Sequence, residues 1–240
     1  MIRSGIDRLG DRLRKSAPTE DDLRELNDYR QHFAPAYREV VERIRGRLGV
    51  DPTGRPAKST TAIVDKLRRE SIRLSQLQDI AGARIVVADF STQVEVLDSV
   101  VDIFEEHRVI DRRSRPSHGY RAIHVIPRVQ GLPVEIQIRT SLQHHWAELS
   151  EKLSDLVDPA IKYGAGPAEI RDALAESSMM IARIESLEGK LTGLKEGSTG
   201  QPAKWRDRVH ETRQELEVIR AQAHEALDHT LAEIRRLAGS

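Results

Sequence analysis

Five side chains near the middle of the sequence, Tyr120, His124, Glu135, Gln137 and Arg139, are of types that could handle a nucleotide. In Val134-Glu135-Ile136-Gln137-Ile138-Arg139 apolar and polar residues alternate. As a strand, this run places Glu135, Gln137 and Arg139 on one face and Val134, Ile136 and Ile138 on the other. A preceding run places Tyr120, Ala122, His124 and Ile126 together in the same way, with Tyr120 following His118-Gly119. If the two polar rows share a face, an aromatic ring, an imidazole, a carboxylate, an amide and a guanidinium converge. Such a patch suits a nucleobase, since the ring stacks and the amide reads an edge. Alternation alone equally describes a strand with a solvated charged face, and Tyr and His tips commonly reach the surface without function.

A second set is basic. Were the segment one helix, the offsets from Lys58 to Lys66, Arg69 and Arg73 would place all four within roughly 80° of one another. Ser59 and Thr60 could cap its start, adding backbone N–H groups to the cations, and together these would form a triphosphate cradle. A solvated face balanced by Asp65 and Glu70 has the same composition. Asp79 stands just before Ile80-Ala81-Gly82-Ala83-Arg84. A carboxylate there could hold a magnesium ion bridging phosphate oxygens, with Glu135 as the second ligand, because that ion takes one or two carboxylates. A lone Asp before a strand is also an ordinary turn residue.

The elements that must position these residues follow from periodicity. Helical spacing before Gly49, with an acidic first turn at Pro18 to Asp22, predicts two N-terminal helices. Asp51-Pro52-Thr53-Gly54-Arg55-Pro56 predicts a loop. Ala83 to Ala88 reads as a strand, and Ser91 to His107 as an amphipathic helix. Arg121 to Pro127 and Val134 to Thr140 read as adjacent antiparallel strands around a Gln130-Gly131 turn. From Ser141 helix returns, pausing at Asp158-Pro159 and at Gly164-Ala165-Gly166-Pro167. Lys195 to Ala203 reads as a linker, and a last helix from about Trp205 to Leu237 carries an apolar stripe that includes Leu216, Ile219, Ala223 and Leu227. That stripe predicts packing on its own domain or on a partner subunit.

The 38 basic residues balance 38 acidic ones, so any basic site is local and no global field draws the chain to nucleic acid or membrane. With no cysteine there is no disulfide framework and no thiol chemistry. No apolar run suits a signal peptide or a membrane span, so a cytoplasmic protein is expected. The nine histidines lack metal-ligand spacing, and there is no Walker loop, dinucleotide glycine fingerprint or serine elbow.

Gln78-Asp79-Ile80-Ala81-Gly82-Ala83-Arg84, Gly119-Tyr120-Arg121-Ala122-Ile123-His124, Val134 to Thr140 and Trp146-Ala147-Glu148-Leu149 occur in the order of the RelA/SpoT synthetase pattern. The chain resembles that family over about Arg55 to Lys152, and its compact length with helical flanks is similar to small alarmone synthetases. The resemblance implies a mixed α/β fold, a nucleotidyltransferase-like mixed sheet flanked by helices. It also implies a helical segment at 1–50, a synthetase core at 51–160 and a helical extension at 161–240. ATP would donate its β,γ-pyrophosphate to the 3′-hydroxyl of GDP or GTP, the alarmone synthesis of the stringent response. Asp79 would bind Mg²⁺, and Glu135 would bind the metal or activate the acceptor hydroxyl as general base. Arg55, Lys58, Lys66 and Arg84 would hold ATP; Tyr120 would stack on the acceptor base, with His124, Gln137 and Arg139 around it.

Three positions depart from the family pattern. Pro56 stands where an arginine is usual, His118 where an asparagine is usual, and Ala122 where a serine is usual. The arginine-rich segment Asp111 to Pro116 motivates a second reading, a toxin-type enzyme that pyrophosphorylates the tRNA 3′ end. A third is a silent module that binds nucleotides or partners through its helices. Retention of Lys58, Lys66, Asp79 and Glu135 together argues against the third. A homo-oligomer formed through the C-terminal helices is compatible with the apolar stripe.

Overall fold

Local chemistry sets where the helices begin. The computed structural model describes residues 3–196 and 202–238. Helix α1 spans Arg3–Lys15 and α2 spans Glu20–Gln31. Thr19 caps α2: its side chain accepts from the Asp22 N–H, and Asp22 accepts from the Thr19 N–H, a reciprocal capping box. The sequence predicted one helix onward to Gly49, but the ladder breaks at His32 and α3 covers Phe33–Leu48. Pro35 has no N–H to give the Gln31 carbonyl and is tolerated only in a first turn, so a new helix starts there.

The sheet has five strands, β1 (Thr53–Arg55), β2 (Ala81–Val87), β3 (His107–Asp111), β4 (Ile123–Val129) and β5 (Leu132–Thr140), in the order β1-β2-β5-β4-β3. It is a mixed sheet accompanied by helices, as the sequence implied. Gln130 and Gly131 both have positive φ, the backbone of a two-residue hairpin turn between β4 and β5. Two strands were not foreseen. The loop expected at 51–56 contains β1, which pairs antiparallel with β2 through Thr53 with Arg84, Gly54 with Ala83 and Arg55 with Gly82. Gly54 makes this possible, because a Cβ there would lie 2.2 Å from the Gly82 carbonyl oxygen. The helix expected to reach His107 is α5, Phe90–Ile103, and His107 instead opens the edge strand β3.

Helix α4 (Thr60–Arg69) is capped by Ser59, whose side chain accepts from the Ala62 N–H. Helices α6 (Ser141–Leu156), α7 (Ala168–Glu196) and α8 (Pro202–Ala238) follow the sheet. The predicted linker falls across residues 197–201, which lie outside the described residues. Among the described residues no helix is long and apolar enough to cross a membrane.

The chain forms two compact units that interleave in sequence: Met1–Ile85, Leu97–Ile110 and His124–Gln137 make the first, and Val86–Val96, Asp111–Ile123 and Ile138–Ser240 the second. In the first unit Leu9, Leu13, Leu26, Phe33, Ile44, Ile63, Leu67 and Leu74 are fully buried where α1, α2, α3 and α4 meet. In the second, Trp146, Leu153, Leu174, Ile181 and Ile184 of α6 and α7 form one core with Leu216, Ile219, Ala223 and Leu227 of α8. The C-terminal stripe therefore packs within its own chain.

Candidate active site

The first cluster is an ion triad in the first unit. Lys58 sits just before the Ser59 cap, its N–H bonded to the Ile80 carbonyl at 2.6 Å, and Lys66 lies on α4. Both reach Asp79, which precedes β2: Lys58 Nζ is 2.6 Å and Lys66 Nζ 3.1 Å from its Oδ2. Burial alone would push the Asp79 carboxyl up, but the charges and hydrogen bonds of Lys66 and Lys58 outweigh it and hold the group below the ordinary carboxylate range. Oδ1 of Asp79 is buried and has no hydrogen-bond partner.

The predicted four-residue basic stripe does not form. Helix α4 ends at Arg69, so Lys58 precedes the helix and Arg73 lies beyond it. Arg69 pairs with Glu70 at 2.9 Å, and Arg73 lies 3.8 Å from Asp7. Lys58 and Lys66 converge on Asp79. Arg55 is exposed on β1, and Arg84, half-buried on β2, faces Thr53 across the same strand pair.

The second cluster, also in the first unit, centres on Glu135. His124 Nδ1 lies 3.1 Å from Glu135 Oε1, and the Gln137 amide donates to Oε2 at 2.6 Å. Burial pushes the Glu135 carboxyl up and the Asp79 charge adds to this; the hydrogen bond and charge of His124, with the Gln137 amide, prevail and keep it below the ordinary range. Gln137, expected to read an acceptor edge, here also orients the carboxylate.

In the second unit Arg139 donates from Nη2 to the Tyr120 hydroxyl at 3.0 Å, and its guanidinium lies 5.0 Å from the ring centroid. The sequence placed Tyr120 on a strand, but β4 begins at Ile123 and Tyr120 closes a tight turn. Ser117 and Tyr120 exchange backbone hydrogen bonds of 3.0 and 3.3 Å, and His118 and Gly119 between them have φ of 52° and 87°. This accounts for His118 where the family usually has asparagine: both are among the residues that tolerate the left-handed region. Ala122 is fully buried, so a serine hydroxyl there would need a partner.

Sequence reasoning missed the residues that hold this turn. Arg121 donates to Glu185 of α7 from Nε at 3.1 Å and from Nη2 at 2.5 Å, Gln143 donates to Glu185 at 2.7 Å, and Gln93 donates to Gln143 at 2.8 Å. Their partners are far apart in sequence, so no local period reports them. The available signal was Ser178, Glu185 and Glu188 falling among the apolar positions of α7, where all three are buried.

A divalent cation fits the residues present. Among the described residues no three His, Asp or Glu side chains group to hold a metal, but the buried unpartnered Oδ1 of Asp79 and the ionised Glu135 supply hard oxygen donors of the kind magnesium takes alongside phosphate oxygens and water.

Residues 54–154, from β1 into α6, match the region found in RelA / SpoT proteins. An uncharacterized protein of Mycobacterium tuberculosis is 32% identical over 211 residues, covering 84% of this chain and 75% of that protein. The GTP pyrophosphokinase YjbM of Bacillus subtilis is 27% identical over 187 residues, covering 71% of this chain and 79% of its own. The crystal structure of small alarmone synthetase 1 from Bacillus subtilis superposes with a TM-score of 0.52 at 25% identity, covering 71% of this chain and 100% of that one. The matched span encloses Lys58, Lys66, Asp79, Tyr120 and Glu135, the superposed structure shares the fold, and the chain belongs to the RelA/SpoT family.

Proposed function

We propose that the protein is a Mg²⁺-dependent alarmone synthetase that transfers pyrophosphate from ATP to the 3′-hydroxyl of GDP or GTP. The observation that carries this reading is the Lys58–Asp79–Lys66 triad, with Asp79 close enough for its charge to act on Glu135. Two cations and two ionised carboxylates in one partly buried place suit a triphosphate with its metal, and the similarity to a GTP pyrophosphokinase supports the acceptor.

The reaction joins the acceptor 3′-oxygen to the β-phosphorus of ATP and breaks the bond from that phosphorus to the α,β-bridging oxygen, releasing AMP. The hydroxyl proton passes to a carboxylate or to water. Lys58 and Lys66, with Arg55 and Arg84, bind the triphosphate and offset charge on its oxygens. Asp79 and Glu135 would hold Mg²⁺, which would supply charge neutralisation at the phosphate oxygens. Glu135 is held below the ordinary carboxylate range, which makes it a weaker base, so metal binding is assigned as its main role over proton abstraction. Tyr120 stacks on the acceptor base, with the Arg139 guanidinium beside its ring.

The arginine-rich segment supports the tRNA reading less than its composition implied. Arg113 is held by both oxygens of Asp111, donates to Gln93, and lies 4.8 Å from the Phe90 ring centroid. Glu135→Gln keeps the side-chain shape and removes the charge. Transfer should fall at least about a hundredfold while ATP affinity stays within a few-fold; a variant as fast as wild type would contradict the assignment.

A further inference from the structure

Tyr120 is flanked by two residues that the same helix holds. Ser178 Oγ of α7 donates to the Gly119 carbonyl at 2.7 Å, and Glu185 of α7 takes the Arg121 guanidinium through both oxygens. Ser178 and Glu185 are seven residues apart, two turns, and so lie on one face of α7. Trp146 closes the turn from α6: its ring lies 2.7 Å from where a Cβ on Gly119 would be, and its Nε1 donates to the Leu174 carbonyl of α7 at 2.9 Å.

The Arg121–Glu185 pair is almost fully buried, with 10% and 7% side-chain exposure. Taking two charges out of water is costly, and a well-packed apolar pair would serve stability as well. What the ion pair supplies is direction: a bidentate guanidinium–carboxylate contact fixes the backbone at Arg121, as the Ser178 hydrogen bond fixes it at Gly119. The chain is thus tethered to α7 on both sides of Tyr120. Helix α7 is itself braced by α8 through Arg220 on Glu188 and Arg183 on Glu215.

We infer that Ser178 and Glu185 are positioning residues that clamp the Tyr120 turn from both sides, so that the C-terminal helices set affinity for the acceptor nucleotide and not for ATP. This rests on the acceptor role proposed for Tyr120. A helical extension with only a packing role has no reason to hold both neighbours of one aromatic residue by polar contacts.

The test uses the full chain and the variants Ser178→Ala and Glu185→Gln, with two readouts. Amide hydrogen exchange over residues 117–122 reports the clamp, and equilibrium titration with GDP and with ATP, both with Mg²⁺, reports its purpose. Each variant should exchange about tenfold faster in that segment. GDP affinity should fall about tenfold in Glu185→Gln and about threefold in Ser178→Ala, with ATP affinity unchanged. Ser178→Ala removes one hydrogen bond and should melt close to wild type, which separates positioning from unfolding. Unchanged GDP affinity in both variants, or an equal loss for ATP, would overturn the inference. If wild type binds no guanosine nucleotide, the acceptor reading has failed; faster exchange then supports the clamp alone, and unchanged exchange overturns it too.

Discussion

Asp79 has two ammonium partners on one oxygen and none on the other. Under the proposed function, each lysine that turns to a phosphate would give up its contact with Asp79, whose charge would then call for a cation, and metal and triphosphate binding would be linked reciprocally. Asp79→Asn should lower transfer at least about a hundredfold yet tighten metal-free ATP binding, because Lys58 and Lys66 no longer answer to a carboxylate. Isothermal titration with and without Mg²⁺ reads both effects, and an unaltered metal dependence of ATP affinity would refute the linkage. Acid behaviour follows from the same carboxyls. Asp79 and Glu135 are held below their ordinary range in the folded protein, so each contributes stability that is present above that range and lost as pH falls through the depressed value. Glu135→Gln removes one such group, and its urea midpoint should decline less steeply than wild type from neutral pH into acid; parallel declines would show that the His124 contact adds no pH-dependent stability.

The turn carrying Tyr120 depends on two residues with positive φ, and they differ in what they tolerate. Gly119 has φ of 87°, and a Cβ there would meet Trp146 at 2.7 Å. Gly119→Ala should cost about 2 kcal/mol or more by urea denaturation, combining left-handed strain with overpacking. His118→Asn exchanges one residue tolerant of that region for another and should leave stability within about 0.5 kcal/mol. At this scale the sequence was legible where the signal is local. The β4–β5 hairpin showed in Gln130-Gly131 between apolar runs, and α4 in its Ser59 cap. The strand β1 was hidden because its three residues are set by pairing with β2, and β3 because an edge strand with Arg108 and Val109 exposed shows no alternation. Within the site, Lys58, Lys66 and Asp79 stood out by residue type, but the one-helix spacing that grouped the lysines does not hold, because Lys58 precedes α4 and meets Lys66 only at Asp79. Arg69 and Arg73 were misplaced because the helix ends at Arg69, and Glu185 was invisible because its partner Arg121 is 64 residues away.

For the molecule as a whole, the C-terminal helices are part of a folded unit rather than an appendage. Leu216, Ile219, Ala223 and Leu227 complete the core that α6 and α7 begin. Leu227→Ala should therefore cost about 2–4 kcal/mol, measured by urea denaturation of the full chain; a change under about 0.5 kcal/mol, typical of surface substitutions, would show that α8 packs elsewhere. Pyrophosphate transfer by the protein can be measured directly in one experiment. Purified protein is incubated with γ-labelled ATP and Mg²⁺ while GDP, GTP and deacylated tRNA are offered in parallel, and the labelled products are resolved. Label should appear on a guanosine nucleotide, accompanied by AMP, and should disappear with Asp79→Asn. Label on tRNA alone, or on no acceptor, would contradict the assignment of this chain as an alarmone synthetase.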